Sequence, residues 1–336
     1  CIRDSTLVEH ILHRIVLAPW PNHEPELDTE WIDDDSMPLP LRTRLGSLRV
    51  LTQWCCVQKK ADLVPPVLKL LWILLGTGEV HRDQHIPLGV RSRLRLFAAQ
   101  CVLKLATCDA YASLILPRMG RLSYALQDEC FQVRMHLLHD LLLYLMRDEL
   151  PTEFHAAIFL VAFDPEDEPR VQVASYTRRL QVLPPIVRHE RLERIIVRFL
   201  HLLAHHPDLN AESPQTLCSF ARYLEFYLAC VACETNIGVL ARFSACVRTY
   251  IDLSLSEPSV ENSRPLYAMA ELAQFLIQRL ADNNGWTIYP VDEEAPCPKD
   301  ILRSTGTITR SVLDGEVWEL LQQQPRRHRD KKTKVA

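Results

Sequence analysis

The sequence predicts an all-α chain, a solenoid of stacked antiparallel helix pairs, and three observations lead there. Hydrophobic residues make up 48% of the 336 positions, while aromatics reach only 7% and glycines number 9, lean for a turn-rich β protein. The 22 prolines fall largely between apolar stripes of helical period, where a residue without a backbone donor does least harm. Three of them, Pro117, Pro151 and Pro184, are 34 and 33 residues apart, a spacing that suits a repeating helix pair.

Taken in order, residues 1–18 read as a first helix, with Leu7, Val8, Ile11, Leu12, Ile15 and Val16 on one stripe. Residues 19–40 form an acidic, Pro-rich loop in which Glu24, Glu26, Asp28, Glu30 and Asp33–Asp35 are joined by no Lys or Arg, so it is expected to be solvated or disordered. Residues 41–283 form the solenoid proper. Its helical stripes run over 41–56, 64–75, 90–106, 114–126, 130–146, 153–161, 171–183, 192–205, 216–233, 237–253 and 266–280, with polar or proline-bearing connections and no persuasive strand. After Asn283-Asn284-Gly285 the pattern decays, and residues 284–336 read as an irregular segment and a basic tail.

The formal net charge of −4 excludes a uniformly basic nucleic-acid binder but permits a local basic patch. Eleven cysteines without regular spacing are expected to be reduced thiols of a cytosolic or nuclear protein. The first residue is Cys and no signal segment follows, so an internal or C-terminal piece of a longer product is expected. The apolar run 70–75 stops at Gly76-Thr77-Gly78, far short of a membrane span.

Chemical motifs are sparse. Cys230-x-x-Cys233 lacks the second ligand pair that a structural zinc site needs. His201 and His205 share a helical face, but Leu202 stands where a metalloprotease carries its general-base Glu. His81-Arg82-Asp83 has Leu88 where a kinase loop needs its metal-binding Asn, and no Gly-x-Ser-x-Gly elbow occurs. No cofactor or metal is therefore expected; the rival reading, a metal or thiol enzyme, would rest on Cys230, Cys233 and His205. Arg188, Arg191, Arg194 and Arg198, continued by His201 and His205, recur at 3–4 residue spacing and suggest a basic ridge for an acidic partner, although Glu190 and Glu193 interleave as in a solvated mixed face. Arg326, Arg327, Arg329, Lys331, Lys332 and Lys334 against the single Asp330 give the tail a local net charge of +5, suited to weak DNA contact or nuclear import as well as to plain solubility.

The sharpest local pattern is Ala125-Leu126-Gln127-Asp128-Glu129-Cys130-Phe131-Gln132-Val133-Arg134, followed by Leu137, Leu138, Leu141, Leu142 and Leu145. Asp128 is placed to cap the second helix of a pair and Val133 to begin its buried stripe. An acidic cap followed by Val133-Arg134 resembles the HEAT repeat, whose Asp and Arg side chains link neighbouring repeats. Further stretches occur in one order: Leu94-Arg95-Leu96-Phe97-Ala98-Ala99, Leu150-Pro151-x-Glu153-Phe154, Phe163-Asp164-Pro165 and His201-Leu202-Leu203-Ala204-His205-His206-Pro207-Asp208. Over residues 91–210, and more weakly over 214–281, this series resembles the later repeats of the sister-chromatid cohesion cofactor family, the "precocious dissociation of sisters" proteins. The resemblance implies a nuclear, non-enzymatic adaptor that binds cohesin through its kleisin subunit and acts with the wings apart-like release factor and the cohesin acetyltransferase, meeting chromatin indirectly. The matching residues are core and inter-repeat positions, so no partner-contacting residue carries over. Other HEAT scaffolds, such as a nuclear-transport receptor or a condensin-type subunit, are the alternative.

Overall fold

The computed structural model describes residues 11, 18–20, 29–60, 62, 64–79 and 86–323. The expected first helix and the basic tail lie outside the described residues, apart from Ile11 and Ala18. Helices dominate what is described, as the sequence predicts for an all-α helical solenoid. The described residues divide into one compact unit running to Leu202 together with Pro298–Ile301, and a second formed by Leu203–Cys297 and the segment from Leu302 onward.

In the first unit, α1 (Leu39–Gln58) starts on Pro40 in its first turn and buries Leu41, Leu45, Leu48, Leu51 and Cys55, a stripe of helical period. α2 (Val64–Thr77) and α3 (Leu88–Ala106) follow, and α3 packs against α1, α2 and the later α6 (Phe131–Met146). This position explains its sequence: Leu94, Leu96, Phe97, Ala98, Ala99, Val102 and Leu103 are all buried, so apolar residues surround the helix and leave no single stripe. The expected helix over 114–126 is instead broken into α4 (Asp109–Ile115), a 3₁₀ turn through Pro117, α5 (Met119–Ser123) and a second 3₁₀ turn (Tyr124–Gln127). Proline at 117 removes a backbone donor and ends the α-helical ladder there.

Thr152–Phe163 winds as a 3₁₀ helix with Phe154–Ala162 buried throughout, which leaves the segment without a polar face. α7 (Asp167–Gln181) begins earlier than its apolar stripe indicates because Asp167 and Glu168 favour a helix N-terminus. The last helical path of this unit is α8 (Pro185–Arg188), a π-helical turn (His189–Glu193) and α9 (Ile196–Ala204).

Part of the acidic loop differs from expectation. Residues 29–36 dock on the repeats: Ile32 is buried, Trp31 stacks on His136 with centroids 5.6 Å apart, and Arg93 lies 3.8 Å over the Trp31 ring. Arg93 also pairs with Asp34 at 2.7 Å. The backbone comes so near α3 that a Cβ on Gly89 would sit 2.7 Å from the Thr29 carbonyl oxygen. Two apolar side chains and the Arg93 guanidinium together hold this acidic run against α3 and α6.

The second unit holds α10 (Pro214–Val231), α11 (Ile237–Cys246), β1 (Tyr250–Asp252), α12 (Arg264–Asn284), β2 (Leu302–Ser304) and α13 (Gly315–Gln323). Ser213 caps α10, its Oγ accepting from the Thr216 amide at 3.3 Å, with Pro214 opening the helix. α12 ends where the sequence indicates: Gly285 turns left-handed at φ 69° and the Trp286 amide reaches back to Ala281. Two departures are clear. The helix expected over 237–253 stops at Cys246, and β1 pairs antiparallel with β2, Ile251 opposite Arg303. The segment after residue 284, expected to be irregular, supplies β2 and α13, and α13 packs on α10. No described helix is long and apolar enough to cross a membrane.

Candidate functional site

The charged residues of the sharpest sequence motif are buried and paired. Arg95, on α3, gives Nε and a terminal nitrogen to the two carboxylate oxygens of Asp128 at 2.6 and 2.8 Å, with the two side chains 6% and 8% exposed. Asp128 is therefore not the N-cap of α6. That place belongs to Cys130, whose amide Asp128 accepts at 2.9 Å, because the carboxylate is turned back to receive the guanidinium of an earlier helix. The same design recurs one step later. Arg134 on α6 donates to Asp164 at 2.9 Å and Glu166 at 2.5 Å, and to the carbonyls of Asp128 and Glu129 at 2.8 and 3.1 Å. Val133 beside it is fully buried.

Burial alone draws the Arg95 pKa down, yet the hydrogen bonds and charge of Asp128, with Glu129 behind, outweigh it and leave the pKa raised. Arg134 is raised likewise by Asp164 and Glu166 against its own burial. Both guanidiniums stay charged, and each joins a helix to the turn preceding a later helix. Arg95 was named in the sequence only as part of the Leu94–Ala99 stretch and given no role, although it carries a usable signal. Leu94-Arg95-Leu96, Val133-Arg134-Met135 and Val197-Arg198-Phe199 each set an arginine between apolar neighbours, and all three arginines are buried.

The expected basic ridge is engaged within the first unit. Arg188 lies 3.4 Å from Glu193, Arg191 2.8 Å from Asp148 and Arg194 3.3 Å from Glu190. Arg198 is 3% exposed and grips both Asp300 oxygens at 2.8 Å. The even spacing does not make one continuous face because the path changes to π-helical winding at His189–Glu193.

Cys230 and Cys233 do not share a helix, since α10 ends at Val231; Cys233 Sγ lies 3.2 Å from Thr235 Oγ1, in a turn where Asn236 accepts the Cys233 amide at 2.8 Å. Burial pushes the thiols of Cys55 and Cys101 up to about 11 and that of Cys56 to about 12, away from the thiolate form a nucleophile needs. In the second unit His205 Nε2 contacts Asp252 Oδ2 at 2.6 Å. In the first, His155 is buried with Nδ1 2.8 Å from the Thr152 carbonyl and Nε2 2.9 Å from the Tyr176 hydroxyl. Burial lowers its pKa to about 4, against the Thr152 hydrogen bond.

Successive helices joined by buried arginine–carboxylate links define an α-helical repeat protein whose most conspicuous charges hold structure together. Comparison with known proteins makes this specific. The chain belongs to the family described as sister chromatid cohesion protein PDS5, which matches residues 3–303. It is 25% identical over 308 residues to sister chromatid cohesion protein pds5 of Schizosaccharomyces pombe, covering 90% of this chain and 25% of that protein. It is 22% identical over 358 aligned positions to PDS5 of Saccharomyces cerevisiae, covering 94% of this chain and 28% of that one. PDS5 homolog A of Danio rerio is 30% identical over 202 residues, 56% of this chain and 15% of the homolog. The chain thus spans between 15% and 28% of the length of these curated relatives.

Proposed function

We propose that the chain is a non-enzymatic scaffold that acts in sister chromatid cohesion in the nucleus, binding the cohesin complex through its kleisin subunit and working with the wings apart-like release factor and the cohesin acetyltransferase. The observation that carries this reading is the family match over residues 3–303. The geometry supports it: a stack of helices pinned by internal ion pairs is a rigid support, and such surfaces recognise extended partners without turnover. Chromatin is reached indirectly, with weak electrostatic help from Arg326, Arg327, Arg329, Lys331, Lys332 and Lys334, which lie outside the described residues.

The test is reconstitution. Tagged chain is incubated with purified cohesin subunits, singly and assembled, and with the release factor and acetyltransferase, and the retained species are identified. Retention of the kleisin is the expected result. Retention of condensin subunits or transport receptor cargo from nuclear extract, with no kleisin bound in the purified system, would overturn it.

A further inference from the structure

A groove in the first unit has a composition that the ion-pair network does not explain. One wall is the outer stripe of α2, where Leu68, Trp72 and Ile73 line a cavity of about 810 Å³. The other wall is the broken path of α4 and α5, which brings Leu114 and Pro117 to the same cavity. Trp72 and Arg121 also line a neighbouring cavity of about 500 Å³, where Asp128 and Glu129 face Arg91 and Arg95. These volumes are those of sites that enclose a ligand's side chains. The floor is open to solvent, with Ile73 41% and Leu114 38% exposed.

The rim is cationic. Lys69 on α2 and Arg118 and Arg121 on the opposite wall line the larger cavity, where no carboxylate lies among the described residues. None of the three has an ion-pair partner among the described residues, unlike the arginines of the inter-helix links and the ridge. Trp72 between the two cavities is 7% exposed and gives the floor its largest apolar surface.

We propose that this groove binds a linear peptide segment that carries acidic residues beside bulky apolar ones. The apolar side chains fill the floor over Leu68, Ile73 and Leu114, and the carboxylates meet Lys69, Arg118 and Arg121. A nucleic acid fits less well: its affinity needs a track of cations along the backbone and exposed aromatic faces for bases, whereas here three cations ring an aliphatic hollow. The proposal rests on the reading of the chain as a binding scaffold but not on cohesin being its partner.

The experiment is selection of phage-displayed random linear peptides on the purified chain, followed by titration of the selected sequence as a labelled synthetic peptide. The expected outcome is an acidic–apolar consensus whose affinity falls at least about tenfold for Arg118→Glu with Arg121→Glu, since like charges then face each other. Lys69→Glu with Ile73→Asp, on the opposite wall, should have the same effect, which guards against local misfolding of either variant; thermal melts accompany both. No acidic–apolar consensus, or one whose binding survives both pairs of substitutions, overturns the proposal. So does duplex or single-stranded DNA that binds the chain and is lost with these substitutions while no peptide is selected. Cohesin binding by both variants at the level of the unaltered chain would leave the proposed function intact and put that contact elsewhere.

Discussion

Removing the carboxylate of Asp128 leaves the Arg95 guanidinium charged, buried and half-coordinated, and this asymmetry decides what substitutions there do. Asp128→Ala is expected to destabilise the first unit by roughly 3–5 kcal/mol, the cost of an uncompensated buried charge. Replacing both partners, Arg95→Met with Asp128→Leu, should recover most of that loss, and a double-mutant cycle by chemical denaturation measures the coupling. A loss for the double variant as large as for Asp128→Ala would show that the pair matters through something other than its charge. His155 supplies a pH dependence. Its folded pKa of about 4 lies below the usual 6.5, so the unfolded chain takes up a proton first and stability falls as pH drops from 6.5 towards 4. The full effect is of order 3 kcal/mol. Urea midpoints should decline on acidification through this window, and His155→Gln should flatten the decline; an unchanged profile would assign the acid sensitivity elsewhere. At this scale the sequence was partly readable. Asp128, Val133 and Arg134 all read as structural and the latter two are buried, but Asp128 also reads as the N-cap of α6, because its partner Arg95 lies 33 residues away and no local pattern ties the two together.

Among the elements, Glu271 on α12 acts as a clasp. Its carboxylate, 5% exposed, accepts from Ser311 Oγ at 2.8 Å and from the amides of Val312 and Leu313 at 3.1 Å, with Arg248 3.4 Å away. These bonds set the direction in which the chain enters α13. Glu271→Ala leaves two amides and the Ser311 hydroxyl without their acceptor and takes the counter-charge from Arg248, each lost hydrogen bond costing about 1–3 kcal/mol when water cannot enter. The expected outcome is faster amide exchange across Gly315–Gln323 and cleavage near residue 311 by limited proteolysis, with α10–α12 still protected on the faces α13 does not cover. Unchanged exchange in α13 would show that Phe275 against Trp318, centroids 5.3 Å apart, suffices to hold it. Helices were the legible elements, since periodicity is local; what escaped were breaks and long-range pairings. Pro117 splits a stripe that looked continuous, and Tyr250–Asp252 becomes a strand only because Leu302–Ser304 comes alongside it. α13, at the end of a proline-rich stretch, needed the Glu271 contact to be seen as part of the fold.

For the molecule as a whole, family membership was legible because its signature is distributed, one motif per helix pair over residues 91–210, whereas a binding surface has no such repetition. The groove over Leu68 and Trp72 assembles from segments roughly forty residues apart and leaves only ordinary helical spacing in each. The basic tail is the appendage to test. Deleting residues 325–336 removes Arg326, Arg327, Arg329, Lys331, Lys332 and Lys334 while sparing α13. The expected result is weaker DNA binding at low salt, a shallower dependence of affinity on salt, or reduced nuclear import of a fluorescent fusion, with an unchanged melting temperature. A lower melting temperature would mean that the tail contributes to the folded units, and unchanged DNA affinity and import would leave it without a nuclear role.

The arginine–carboxylate links also bear on how the chain is made. α3 emerges from the ribosome carrying Arg95 before Asp128 has emerged, and α6 brings out Arg134 before Asp164. Each nascent helix therefore waits, with an unanswered cation, for a turn that has not yet emerged. Vectorial synthesis hands completion of one layer to the next, so the growing tip stays the least settled part of the unit while the layers behind it close. Stalling translation before α6 emerges should leave α3 open to protease, and stalling once Asp128 and the whole of α6 have emerged should not.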